Sequence, residues 1–306
     1  MGHPDGSHQL QWQRDGAGWP HRQASRFVAA GGCHWHVQVL GPSGAPPLWL
    51  LHGTGASSHS WRDLVPLLVD DFRLVVPDLP GHGFSTRLPA RQATMSGMAA
   101  ALGALATALV LPPATVVGHS AGAALAVRAV IDGGIAPARV VGLNAALLPF
   151  GGLAGVVFAP LARLMANQSV VPWLVSRSAR DLTAVKRLVA ATGSSLDADG
   201  LAWYALLMRS PAHVAGALAM MADWDLASLW RDLPGLVPPL ALVVGQRDGT
   251  VPPGQAQRVK TRLPGTAVVE LPGLGHLAHE EAPARVAALL RDRGLLPARA
   301  ASAPGL

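Results

Sequence analysis

Gly118-His119-Ser120-Ala121-Gly122 decides the fold. Ala114-Thr115-Val116-Val117 runs before it, a short β-branched apolar stretch that reads as a buried strand. Ala123-Ala124-Leu125-Ala126-Val127-Arg128-Ala129-Val130 follows it and reads as a helix. Strand, tight turn and helix place the Ser120 hydroxyl on a sharp corner at a sheet edge. The amino end of the following helix points at that corner. The glycines have a steric job, since the turn brings backbone segments too close for a Cβ at the flanking positions. A serine in a glycine-rich turn can also be a plain helix cap, so the reading depends on partners elsewhere in the chain.

A serine hydroxyl needs a base to take its proton and a group to orient that base. Residues 240–245 read as another buried strand, and Gln246-Arg247-Asp248-Gly249 follows it. Residues 267–271 read as a strand leading into Pro272-Gly273-Leu274-Gly275-His276. Ser120, Asp248 and His276 each follow a strand and so share one sheet edge. Donors for an oxyanion are expected from the Ala121 N–H and from the loop His52-Gly53-Thr54-Gly55, where the second donor is assigned to Thr54 N–H. His119, beside the nucleophile, is too close in sequence to act as the base and is expected near the substrate.

Strand-like runs at 34–40, 47–51, 72–76, 114–117, 139–143, 240–244 and 267–271 alternate with helix-like stretches at 60–68, 95–110, 121–131, 254–263 and 283–291. This alternation predicts an α/β fold with a mainly parallel sheet and helices on both faces. Residues 148–230 interrupt the pattern with helical spacing only and are expected to form an inserted cap on a core made of 26–147 and 231–296. Residues 1–25 read as an irregular extension, and 297–306, rich in Ala, Pro and Gly, as a disordered tail. In the cap, Met165, Trp203, Met220 and Met221 are expected to line an adaptable apolar pocket, with packing of cap on core as the plainer role for each.

The motifs His52-Gly53-Thr54-Gly55, Pro77-Asp78-Leu79-Pro80-Gly81-His82-Gly83, Gly118-His119-Ser120-Ala121-Gly122 and Gly275-His276-Leu277-Ala278-His279-Glu280 together resemble the α/β-hydrolase fold family. The order Ser, Asp, His is that family's order. Asn144 stands where some relatives carry the acid, but an amide cannot stabilise an imidazolium as a carboxylate does, so Asp248 is kept. Four further stretches resemble the BchO-type magnesium-chelatase accessory proteins of bacteriochlorophyll biosynthesis. They are Trp19-Pro20-His21-Arg22-Gln23-Ala24-Ser25, His59-Ser60-Trp61-Arg62-Asp63-Leu64, Leu147-Leu148-Pro149-Phe150-Gly151-Gly152-Leu153-Ala154-Gly155 and Met220-Met221-Ala222-Asp223-Trp224-Asp225-Leu226. That resemblance implies a role around magnesium insertion into a porphyrin, with a porphyrin and magnesium chelatase as partners to expect. It does not name a reaction.

Three function classes follow. One is a cofactor-free serine hydrolase of apolar acyl substrates, the second a non-catalytic porphyrin- or chelatase-binding accessory, and the third a general esterase or peptidase unrelated to pigments. A serine nucleophile disfavours dehalogenase and epoxide-hydrolase chemistry. No H-E-x-x-H or Cys/His framework is present, so neither a metal site nor a cofactor is expected; His279, Glu280 and Glu281 read as a loop support and helix-start charges.

The 24 Lys and Arg against 18 Asp and Glu are scattered, without the stripe that a nucleic-acid surface needs. One cysteine, Cys33, permits no intrachain disulfide and fits a cytoplasmic setting. The N-terminal residues lack a secretory pattern. The uncharged runs 95–127 and 140–162 are broken by prolines and glycines and read as core rather than membrane spans, which leaves only peripheral membrane contact open.

Overall fold

The structure, a computed structural model, describes residues 9–149 and 170–297. Met165, the surrounding segment 150–169 and the tail from 298 onward lie outside the described residues. Among the described residues, eight strands form one sheet in the order β1-β2-β4-β3-β5-β6-β7-β8. They are β1 Ser25–Ala30, β2 Cys33–Leu40, β3 Pro47–Leu51, β4 Arg73–Pro77, β5 Thr115–His119, β6 Arg139–Leu143, β7 Leu240–Gly245 and β8 Ala267–Leu271. The β1/β2 and β2/β4 pairs are antiparallel, and the pairs from β4 through β3 to β8 are parallel.

Burial alternates along the central strands as a sheet covered on both faces requires. Trp49, Val75 and Val116 join one core cluster, whereas Leu48, Leu50, Leu74, Val76 and Val117 join the other. The first cluster includes residues of α3 (Met95–Leu109) and α4 (Ala121–Ile131); the second includes Leu68 of α2 (Val65–Leu68) and Val286 and Leu290 of α12 (Pro283–Asp292). The seven expected strands are all present. The eighth, β1, is an edge strand hairpinned to β2 through Gly31 and Gly32, at φ 56° and 81°. Its half-exposed sequence lacks the apolar pattern that marks the others.

The N-terminal segment carries a short helix, α1 (Trp12–Asp15), and a 3-10 turn at Arg22–Ala24. Trp19 is buried among Phe84, Trp203 and Leu207, and its indole Nε1 donates to Ser58 Oγ at 3.2 Å. Between β6 and β7 lie α5 (Val170–Ser178), α6 (Leu182–Ala191), α7 (Ala198–Met208), α8 (Pro211–Ala222) and α9 (Leu226–Asp232). Side-chain caps set the starts of four of these: Asp181 accepts from Thr183 N, Asp197 from Gly200 N, Ser210 from His213 N and Asp225 from Ser228 N. Each such cap contributes about 1 kcal/mol. After β7 come α10 (Gln255–Arg262), α11 (Ala278–Glu281) and α12. No single helix among the described residues is long and apolar enough to cross a membrane.

Candidate active site

Ser120 stands directly after β5 with φ 52° and ψ −117°, a left-handed-side conformation that an L residue adopts only when its surroundings enforce it. The enforcement is visible. Ser120 N donates to Leu143 O at 3.0 Å, and Ser120 O accepts from Ala123 N at 3.1 Å and Ala146 N at 3.2 Å. A Cβ at Gly118 would sit 2.5 Å from Ala123 Cα, and one at Gly122 would sit 2.3 Å from Leu51 O. Neither position tolerates a side chain, which explains the motif's two glycines.

Asp248 follows β7 and is buried. Its Oδ1 accepts from Thr250 N at 2.7 Å and Val251 N at 2.8 Å, and its Oδ2 accepts from His276 Nδ1 at 2.8 Å and Asn144 Nδ2 at 2.6 Å. A carboxylate only accepts, so His276 Nδ1 is the donor in this contact and Nε2 is the ring nitrogen left free of Asp248. Ser120 and His276 line one cavity, although no hydrogen bond joins the Ser120 hydroxyl to the imidazole among the described residues. Catalytic contacts of this kind often close only around a substrate.

Thr54 and Ala121 line the same cavity, and among the described residues neither amide donates to a protein acceptor. The Thr54 hydroxyl is directed to Met220 Sδ at 3.5 Å. A Cβ at Gly53 would lie 2.8 Å from His119 Nδ1 and 3.1 Å from Ser120 Cβ, so the β3 loop is seated directly against the elbow. His119 Nε2 donates to His276 O at 2.9 Å, and its ring lies 4.7 Å from that of His276 and 4.6 Å from that of His279. Burial, with His279 and His276 adding to it, holds His119 well below the usual imidazole range. Burial likewise pulls His279 down to about 3. Both rings are held towards the neutral form and pack the histidine loop.

The cavity measures about 910 Å³. Its walls include Val175, Val185, Val189, Met208, Leu218 and Met221, with Tyr204, Trp224 and His213 among them. Of the residues the sequence reading placed at the substrate, His119 and Met221 line it. Met220 lies beneath the wall, buried and in contact with Thr54. Trp203 faces elsewhere, its ring edge-on to Trp19 at 5.3 Å. Along α7 it is the neighbouring Tyr204 that reaches the cavity.

Three groups have roles that the sequence does not show. Asn144, at φ 48° after β6, serves Asp248 as a donor rather than replacing it. Its residue type and strand-end position were the available signal. Glu280, expected only as a helix-start charge, is buried. It pairs with Arg62 Nη1 at 2.9 Å and accepts from Tyr204 OH at 2.7 Å, and burial pushes its carboxyl up to about 7 against the pull of Arg62. Third, the segment after α6 ties the two loops together. Thr192 O accepts from both Gly249 N at 3.0 Å and His276 N at 3.2 Å, and Ser194 Oγ accepts from Leu277 N at 2.8 Å. Glu281 adds acceptors for Gly275 N and Ser195 N. Nothing in the sequence marks Thr192, because its contribution is a carbonyl.

Among the described residues no group of three or more His, Cys, Asp or Glu side chains is arranged to hold a metal. Asp78, in the loop after β4, accepts from Ser58 N, Phe84 N and His36 Nδ1. Although burial works the other way, His36, His52 and the Phe84 amide hold its carboxyl far below the usual range.

Comparison with known proteins agrees with this architecture. The sequence matches the Alpha/beta hydrolase family over residues 50–289. It is 40% identical over 276 residues to the magnesium-chelatase 30 kDa subunit of Rhodobacter capsulatus, covering 90% of this chain and 96% of that one. It is 29% identical to the pyrrolizixenacetamide deacetylase of Xenorhabdus hominickii, covering 81% of this chain and 90% of that one. Among solved structures, an alpha/beta hydrolase fold protein from Burkholderia ambifaria superposes with a TM-score of 0.73 at 24% identity, over 94% of this chain and all of that one. The chain therefore belongs to the alpha/beta hydrolase family and is similar, over nearly its whole described length, to the magnesium-chelatase 30 kDa subunit.

Proposed function

We propose that this protein is a cytoplasmic serine hydrolase of apolar esters or related acyl compounds, acting as an accessory factor in magnesium-porphyrin biosynthesis. The observation that carries the hydrolase reading is the Asp248–His276 pair at 2.8 Å, whose His276 opens with Ser120 and two undonated amides onto an apolar cavity. His276 Nε2 takes the Ser120 proton as Oγ attacks the carbonyl carbon. The Thr54 and Ala121 amides receive the oxyanion, and His276 returns the proton to the leaving group. Water then attacks the acyl-enzyme by the same route in reverse. Residues 148–230 serve as the cap, excluding bulk water and shaping the acyl pocket.

The pathway assignment rests on the 40% identity to a chelatase subunit. That name also supports a second reading, in which the cavity holds a porphyrin or the surface contacts the chelatase without chemistry. An activated-serine probe separates the two. Folded wild-type protein should label and hydrolyse a short-chain nitrophenyl ester, and Ser120→Ala should do neither, with loss of roughly 10⁴-fold or more in kcat. No labelling of folded wild type, or equal labelling of Ser120→Ala, would refute the hydrolase reading. Full rescue of pigment synthesis by Ser120→Ala would favour the binding role.

A further inference from the structure

Nine large hydrophobic side chains are exposed among the described residues, and five of them lie on two consecutive helices, α5 and α6. Surface apolar residues scattered singly need no explanation, but a cluster does. On α5 the exposed positions are Val170, Trp173, Leu174, Arg177 and Ser178, the spacing of a single helical face, while Pro172 and Ser176 are buried on the other side. The apolar stripe of a helix ordinarily turns to the core; on α5 it turns to solvent. On α6, Leu182 and Leu188 are about half exposed, while Val185 and Val189 point inward.

The same two helices wall the cavity. Val175 of α5 and Val185, Leu188 and Val189 of α6 line it, so Leu188 is both exposed and part of the wall. Leu188 thus joins the exposed apolar side of α6 to the apolar interior.

Charge specifies the partner. Arg177, Arg180, Lys186 and Arg187 are all exposed within this stretch, and Asp181 is its only acid. The Asp181 carboxylate is engaged with the Thr183 amide as an N-cap. Arg177 lies over the Trp173 ring at 4.9 Å, placing a cation beside an amphipathic indole. Apolar anchors interleaved with Lys and Arg, with an indole at the boundary, fit a bilayer surface bearing anionic headgroups.

We infer that the outward faces of α5 and α6 dock on an anionic lipid bilayer, with the mouth of the cavity at the membrane surface. An apolar substrate dissolved in the bilayer would then enter beside Leu188 without crossing water. Docking does not depend on chemistry at Ser120, so it stands or falls apart from the hydrolase reading.

Co-sedimentation of the full chain with vesicles tests this. Vesicles of phosphatidylcholine containing about one-third phosphatidylglycerol should pellet the protein at low salt, with at least about tenfold weaker binding to phosphatidylcholine alone. High salt should release it, since exposed charges act over a Debye length of about 10 Å or less. Replacing Trp173→Gln and Leu174→Gln together leaves the net charge unchanged and touches only exposed positions. This double variant should keep its circular dichroism spectrum and bind anionic vesicles at least about tenfold more weakly. Wild-type protein remaining in the supernatant with anionic vesicles at low salt would overturn the inference. So would a folded double variant that pellets like wild type, because general basicity would then suffice. A surface that instead serves another protein gives the first of these results.

Discussion

The Asn144 side-chain nitrogen lies 2.6 Å from Asp248 Oδ2, so the ends of β6 and β7 bring an amide onto the carboxylate that holds His276. The two are not interchangeable. Asp248 accepts four hydrogen bonds, and Asn144 provides the one that is neither backbone nor imidazole. Asn144→Ala should lower kcat on a nitrophenyl ester by roughly 10- to 100-fold, matching a lost hydrogen bond of about 1.5–3 kcal/mol to a charged group. Asn144→Asp should be worse and should shift the acid limb of the pH profile upward, because two carboxylates in contact hold a proton between them. Wild-type kinetics in both variants would mean that Asp248 is positioned without this contact.

Gly193 has φ 79°, and a Cβ there would stand 1.8 Å from Arg247 O. It adjoins Thr192, whose carbonyl binds both the Asp248 and the His276 loops. Gly193→Ala should therefore lower kcat at least about tenfold with little change in KM, at a cost of about 1–3 kcal/mol in stability. Steady-state kinetics and a urea melt read the two effects separately. A change confined to KM would point to the pocket instead of the loops.

The apolar walls predict a chain-length preference. Each methylene buried contributes about 0.8 kcal/mol, or up to about fourfold in kcat/KM when the contact persists in the transition state. Nitrophenyl octanoate should exceed the acetate by about 100-fold or more, and Met221→Glu should erase most of that gain. Equal rates across the series would place the acyl chain outside the cavity.

Glu280 gives the protein a pH-dependent stability term. Its folded-state value of about 7 lies above the ordinary 4.5. The folded state therefore holds an extra proton between those values. The contribution is full below about pH 4.5 and is lost as pH rises through about 7, amounting to roughly 3 kcal/mol at most. Arg62, Asp63 and Tyr204 face this carboxyl, and Arg62 opposes the rise. Wild type should lose melting temperature relative to Glu280→Gln between about pH 5 and pH 8. A constant difference across that range would show that Glu280 stays charged throughout.

Much of this architecture is legible in the sequence because its signals are local. The elbow glycines, the β-branched runs at 114–117 and 240–244, and the loops bearing Asp248 and His276 are each read within about ten residues. What escapes is non-local or mute. β1 is an edge strand without an apolar stripe. Trp203 and Tyr204 are adjacent on α7, and no local pattern says which one turns to Trp19 and which to the cavity. Glu280 reads only as a helix-start charge because its partner, Arg62, lies 218 residues away. Thr192 acts through its backbone, which carries no residue signature.

The helices between β6 and β7 also divide the site along the chain. Thr54, Ser120, Ala121 and Asn144 precede them, and Asp248 and His276 follow them. Cutting the polypeptide anywhere within that insertion would put the proposed nucleophile and oxyanion donors on one fragment and the proposed acid and base on the other. Neither fragment could turn over alone, so ester hydrolysis by the mixed pieces would report reassembly of the β6–β7 seam, making this chain a natural template for a split-enzyme sensor.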